Sequence, residues 1–311
     1  MPALSTNMTG NYIPAIFSKI LLKEYHSRLF LNLITNTTYE GEIKNQGDTV
    51  NIRKKPVVNV LDYTPRGELT AQEINPDDNI QLIIDKAKYF NFNADVIEQH
   101  QADINYVRES ISEGAIAIKE SIEGSFLNAI YASAGEYNHG GSAGKKSGAF
   151  DLGTEKVEAT PAEPVEITKA NVIDWIIDMG TVLDEENVPE EKRYLVLPPC
   201  IVNRIKKSDI REVYITGDKA SSLRTGNIGM IDRFNIFQSN MLTVDSTTLS
   251  GSNLWRPIFG QRDAVTFATQ IVKHEVVTRE KHFGKLYRSL CVYGYKCVKP
   301  EALGYSLVSV A

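Results

Sequence analysis

At 311 residues the chain is long enough for one large or two ordinary domains with a substantial core, and its 42% hydrophobic and 23% charged content is that of a folded soluble protein. A net charge of -5 excludes the basic excess typical of a nucleic-acid binder, and three cysteines (Cys200, Cys291, Cys297) are too few and too odd in number for a disulfide framework. The sequence has no apolar run long enough for a membrane helix and no basic region leading into an apolar stretch at its start, so the product is expected to stay where it is made.

Residues 1 to 13 are polar and read as an extended arm. From Ala15 to Leu33 apolar residues recur at three- and four-residue steps, which predicts an amphipathic helix. Val50 and Ile52 then alternate with polar neighbours as a strand does, but the chain runs on into Arg53, Lys54, Lys55 and Pro56, and later Pro65, Arg66 and Gly67. Regular apolar pattern resumes only near Ile80. Leu82, Ile84, Phe90 and Phe92 share one parity and predict a single long strand returning beside the one at Val50. The intervening segment becomes the tip of a long charged hairpin, and loops of such length are usually functional.

The clearest helix signal lies in residues 101 to 134, where apolar residues fall at 104, 107, 111, 115, 118, 122, 126 and 130. The mean step of about 3.7 keeps one stripe nearly straight along the axis. With Asp103 as N-cap and Gly135 closing the far end, the rod would be roughly 45 to 50 Å long. Gly114 and Gly124 within it predict close approach of another backbone. Residues 135 to 166, rich in Gly, Ser, Ala, Pro and Glu, read as a surface loop or connection.

Thr168 is placed to cap a helix that puts Val172, Trp175, Ile176, Met179 and Leu183 on one face. Tyr194 to Leu197 reads as a buried strand, turned by Pro198 and Pro199 into a short helix, and residues 226 to 242 as a tight turn and another strand. This alternation implies a mixed α/β unit. Val265 to Val277 and Tyr287 to Val298 form two strand-like runs joined by a basic link, and Tyr305 to Val310 forms another.

No nucleophile elbow, phosphate-loop signature or His-Glu-x-x-His motif is present. NHGGSAGKKSG, residues 138 to 148, puts glycines around Lys145 and Lys146 but lacks a phosphate loop's spacing and preceding strand, so an exposed loop is the better reading. The five histidines are scattered. Glu185, Glu186, Glu190 and Glu191 flank a proline and read as a solvated turn. The cysteines read as small buried hydrophobes. No cofactor or metal is expected. Arg53, Lys54, Lys55 and Arg66 crowd the projecting loop; either they keep a solvated tip soluble, or they dock on an acidic neighbouring surface. Glu109, Glu113, Glu120 and Glu123 on the long helix offer one such surface.

The order of these parts resembles the major capsid protein of tailed double-stranded DNA bacteriophages, with the Hong Kong 97-type capsid fold. The resemblance is carried by GDTVNIRKKP entering the loop and KAKYFNFNADVIEQHQADI leading into the helix. RYLVLPPCIVNRI with GNIGMIDRFNIFQSNML adds to it, and nearly the whole chain is covered. It implies an α+β architecture: an N-terminal arm (1–36), an extended loop (37–80), a peripheral domain with a long spine helix (81–134 and 263–300), a surface loop (135–166) and an axial α/β domain (167–262 and 301–311). It also implies a non-enzymatic structural protein that self-assembles into hexamers and pentamers of an icosahedral head enclosing DNA. Scaffolding protein, portal and a cement or decoration protein are the implied partners. The implied location is the virion capsid, assembled in the host bacterial cytoplasm, without a membrane. Relatives that cross-link their loops use a Lys–Asn bond; no pattern around Lys54 or Lys55 supports one. The chain opens directly with the arm, so scaffolding is expected from a separate protein or none.

Three other readings compete: an encapsulin-like compartment that encloses cargo proteins, another virion component, and an enzyme with a site around Asp232, Arg233 and the basic loop.

Overall fold

The computed structural model describes residues 29–38, 49–53, 60, 79–95, 106–155, 162–208, 229–242, 254–278 and 284–310. The predicted arm, most of the helix from Ala15, and the N-cap at Asp103 lie outside them. In chain order the elements are α1 (Leu31–Ile34), β1 (Thr49–Arg53), β2 (Asn79–Ile83), β3 (Lys86–Asp95), α2 (Tyr106–Leu127), β4 (Val165–Ile167), α3 (Val172–Glu185), β5 (Arg193–Leu197) and α4 (Pro199–Lys207). β6 (Met230–Ile231), β7 (Phe234–Gln238), β8 (Leu254–Trp255), β9 (Ile258–Gln261), β10 (Val265–Thr278), β11 (Gly284–Cys297), β12 (Leu303–Tyr305) and β13 (Val308–Val310) follow.

β1 and β2 pair antiparallel, with Val50 opposite Leu82 and Ile52 opposite Ile80, and so form the predicted hairpin stem. The single long strand predicted through Phe92 is instead two. The chain leaves β2 at Ile84 and Asp85, then joins a different sheet as β3. Ile84 stays fully buried across this step, so the apolar parity the sequence displays is real although the strand is not continuous.

Two layers follow. The first is the sheet β10-β11-β3, antiparallel throughout, in which the two predicted C-terminal strands run the full length of each other. Helix α2 covers one of its faces: the Phe90 ring lies under Gly114, and Lys88 Nζ reaches Ser125 Oγ at 2.8 Å. Phe126 meets Tyr295 edge-on at 5.2 Å. The close approach at Gly114 is therefore by an aromatic side chain, not a backbone, and at Gly124 an added methyl would meet nothing within 4 Å. Helix α2 spans 22 residues, shorter at its C-terminal end than the predicted rod. Asn128 stops it: its side-chain N–H bonds the Gly124 carbonyl at 2.8 Å and the Met241 carbonyl at 3.0 Å, turning the chain into a 3-10 turn at Ile130–Ser133. Ile130 remains buried there, so the apolar stripe outlasts the helix.

The second layer is the sheet β12-β9-β5-β7-β6, with β5 at its centre and buried at every residue. Apolar on both faces from Tyr194 to Leu197, β5 suits a central strand. Helix α3 packs its predicted face here, with Val172, Trp175, Ile176, Met179 and Leu183 all buried. Its N-cap is Asn171, not Thr168; the Thr168 N–H and hydroxyl both donate to Asn171 Oδ1. Pro199 opens α4, where the proline's missing N–H costs nothing. The turn between β6 and β7 places Asp232 and Arg233 at positive φ, 42° and 67°, as a two-residue hairpin with matching twist requires. The predicted C-terminal strand divides at Ser306 into β12 and β13, and β13 pairs with β4 and β8 in a small third sheet. One contiguous core joins both layers, from Ile34 and Phe126 through Phe267 to Trp175 and Leu195.

The described parts of the stretch 135 to 166, residues 135–155 and 162–166, do not behave as the surface connection expected. Ala143 and Leu152 are fully buried, Ala143 bridges Phe150, and Leu307 N donates to the Leu152 carbonyl at 2.7 Å. Two well-spaced apolar residues in a Gly-rich stretch suffice to pin it.

Candidate interaction surface

The stem β1–β2 carries the charged segment for which the sequence predicts a role. This stem has a hydrophobic cluster separate from the main core: Val50, Ile52, Leu82 and Ile84 pack on Ala268 of β10 and Val292 of β11. Gly294 makes this seat possible, because a methyl added there would collide with the Ile83 carbonyl and the Ile84 side chain. Nothing in the local sequence marks Gly294 as special; only the crossing of a hairpin over β11 does. Ile83, on the opposite face of β2, is half-exposed, and Val60, described between the two strands, is 96% exposed. Arg53 ends β1 opposite Asn79. Lys54, Lys55 and Arg66 lie outside the described residues.

The four carboxylates predicted as an acidic docking row divide. Glu109 is exposed, and Glu113 and Glu120 are half-exposed on α2. Glu123 is a correction: it is 1% exposed and turned inward, where its Oε2 accepts the N–H groups of Phe30 and Leu31, each at 3.0 Å. The clue was Leu127, four residues on and also buried, which widens the covered face of α2 beyond the single stripe. Burial raises the proton affinity of Glu123; the two N–H bonds oppose this, and Glu120 adds to it.

The sheet face opposite α2 is covered at Ala268 and Val292 by the hairpin stem, and beyond that seat it carries exposed residues. Tyr89 is 71% exposed on it, beside a shallow cavity of about 330 Å³ bordered by Asn91, Leu286, Arg288 and Leu290. Glu275 there takes ion pairs from Lys273 and Arg288, which hold its carboxyl below the usual range.

Other charged groups singled out in the sequence are spent within the chain. The N–H groups of Lys146 and Ser147, in the phosphate-loop-like stretch, bind Glu185 Oε2 at 2.7 and 3.1 Å, and Lys145 pairs with Glu186 at 2.6 Å. Glu185 and Glu186 are thus clasps between loop and helix and not a solvated turn. Arg233 pairs with Asp184 and Glu190, both at 2.8 Å, leaving no nucleophile and base together at Asp232 and Arg233. Among the described residues no group of three or more His, Cys, Asp or Glu side chains could hold a metal. The three cysteines are free, and burial pushes the Cys297 thiol up to about 11.

Sequence comparison finds no matching family model and no matching curated protein. Structure comparison does find matches. A structure from Mycobacterium phage Che8 superposes with a TM-score of 0.72 at 23% identity, covering 95% of this chain and 97% of that one. The capsid of cyanophage P-SCSP1u matches with a TM-score of 0.63 at 13% identity, over 96% of this chain and 93% of the other. The mature capsid of bacteriophage PhiM1 gives 0.63 at 12% identity, over 95% and 91%. The chain therefore has the fold of bacteriophage capsid structures, along nearly its whole length.

Proposed function

We propose that this chain is a major capsid protein: a structural, non-enzymatic subunit that self-associates into hexamers and pentamers and closes an icosahedral phage head around double-stranded DNA. The observation that carries this reading is the end-to-end match to capsid structures, with neither partner leaving a large part of its length unaccounted for. The Hong Kong 97-type division into arm, extended loop, peripheral and axial parts fits the two layers: β3, α2, β10 and β11 would be peripheral, and the β5-centred sheet axial. The stem β1–β2 then carries a loop whose partner surface belongs to the next copy, in a head-to-tail contact that closes by rotation. Arg53, Lys54, Lys55 and Arg66 would meet acidic positions of that neighbour, with Glu109, Glu113 and Glu120 as candidates. A scaffolding protein, a portal and a decoration protein are the expected partners, with assembly in the host cytoplasm and residence in the virion. Net acidity suits a container that must release its DNA.

Electron microscopy of the purified chain, with light scattering on the same sample, tests this. Rings of five and six subunits, or closed shells tens of nanometres across, are expected. A monomer at every concentration and salt, alone and with a scaffolding protein supplied, would overturn it.

A further inference from the structure

Glu123 joins two parts of the chain that are far apart in sequence. Phe30 and Leu31 head α1, the segment through which residues 1 to 28 join the described body, and both donate their backbone N–H to Glu123 Oε2. The other oxygen, Oε1, is buried and has no hydrogen-bond partner among the described residues. A groove of about 380 Å³ between α1, α2 and the first sheet borders the same residues, so the carboxylate sits beside open space and not in a tight socket. The charge environment is sparse. Lys119 and Glu120 are on its own helix, and Cys291 is the titratable group that β11 adds. The α1 segment offers only Leu29 to Leu33, while β3 and β10 bring Phe90, Phe267, Thr269 and Gln270, none of them charged. No ion pair reaches Glu123 among the described residues.

A buried carboxylate with one unserved oxygen is costly when ionised and much less so when neutral. As a neutral acid it still accepts both N–H bonds through its carbonyl oxygen. We propose that Glu123 is a proton-operated catch that fastens Phe30 and Leu31, the root of the N-terminal segment, to helix α2. The sign follows from its raised proton affinity. The seated form binds the proton more tightly than the released form, so acidification tightens the catch and rising pH favours release. At neutral pH the root is held against the carboxylate's tendency to reach water, which makes it an early point of opening. The inference rests on one chain's geometry and holds whether or not the chain builds a shell.

Hydrogen exchange of the full-length chain, read on peptides covering residues 29 to 36 and expressed as protection factors, decides it between about pH 5 and 8. Protection of this segment is expected to fall severalfold as pH rises, while peptides from β5 keep theirs. Glu123→Gln retains an acceptor oxygen and cannot ionise; it should hold one level of protection across the range. Glu120→Gln should keep the pH dependence but move its midpoint to lower pH. A flat wild-type profile, or an unchanged slope in Glu123→Gln, would overturn the proposal. If that variant fails to fold, the wild-type profile and the direction of the Glu120→Gln shift still decide it.

Discussion

Arg193 is wholly buried, and every part of its guanidinium is served. Nη2 donates to Asp184 at 2.7 Å and to the Val188 carbonyl at 2.6 Å, Nη1 to Gly180 and Nε to Pro189. A planar fork is needed to reach four acceptors at once, and an ammonium cannot replace it. Arg193→Lys should therefore lower stability by about 2–4 kcal/mol, read as a drop in the urea midpoint with the slope unchanged. Asp184 adds a pH signature. Burial pushes its carboxyl up, but the bonds from Arg193 and Arg233 outweigh this and hold it below the ordinary 3.8. A carboxyl held low stabilises the fold above that pH, and the contribution disappears as pH falls below it. Asp184→Asn should thus be less stable than wild type at neutral pH, with the difference shrinking as pH drops below about 4.

Elements show why the sequence was readable in some places and silent in others. The two glycines of α2 look alike in sequence, yet a methyl added at Gly114 would lie 2.9 Å from the Phe90 ring, whereas one at Gly124 would meet nothing within 4 Å. Gly124→Ala should stabilise the chain by about 0.5–1 kcal/mol through helix propensity alone, whereas Gly114→Ala should gain little because its methyl displaces the ring. Thermal melts of the two variants check this. Periodicity revealed α2, α3, β5, the β10–β11 pair and the hairpin stem, because each buries one face or two along several residues. It could not reveal that the strand through Phe92 breaks at Asp85 or that the C-terminal strand divides at Ser306, since both halves keep one apolar pattern while changing sheets. β4, β8 and β9 went unread because they span only 3, 2 and 4 residues. Of the candidate surface, Glu109 was legible as a charge at an exposed position of α2. The inward turn of Glu123 and the clearance at Gly294 depend on contacts across 92 residues or more and on a hairpin crossing a strand, which no local pattern records.

At the scale of the whole molecule, a shell-forming subunit should separate folding from assembly. On the proposal that Lys54 and Lys55 serve contacts between copies, replacing both with Glu should leave the melting temperature of the isolated chain within about 2 °C. The same change should reduce particle yield in light scattering and make it more salt-sensitive, if those lysines steer subunit contacts. Gly294→Val should also impair assembly, by lifting the hairpin off β11 at a cost of about 1–3 kcal/mol, visible as lost exchange protection in β1 and β2 but not in β5. The stem rests on its own small cluster of Val50, Ile52, Leu82, Ile84, Ala268 and Val292, apart from the core that joins the two layers. It is therefore a weak, separately opening unit on a strong body. In the proposed assembly, where this hairpin joins copies, subunits would let go of one another under mild heat or denaturant while each remained folded. Parts released in that way can be used again, so in the proposed assembly a misjoined ring would be taken apart and rebuilt without any chain having to refold.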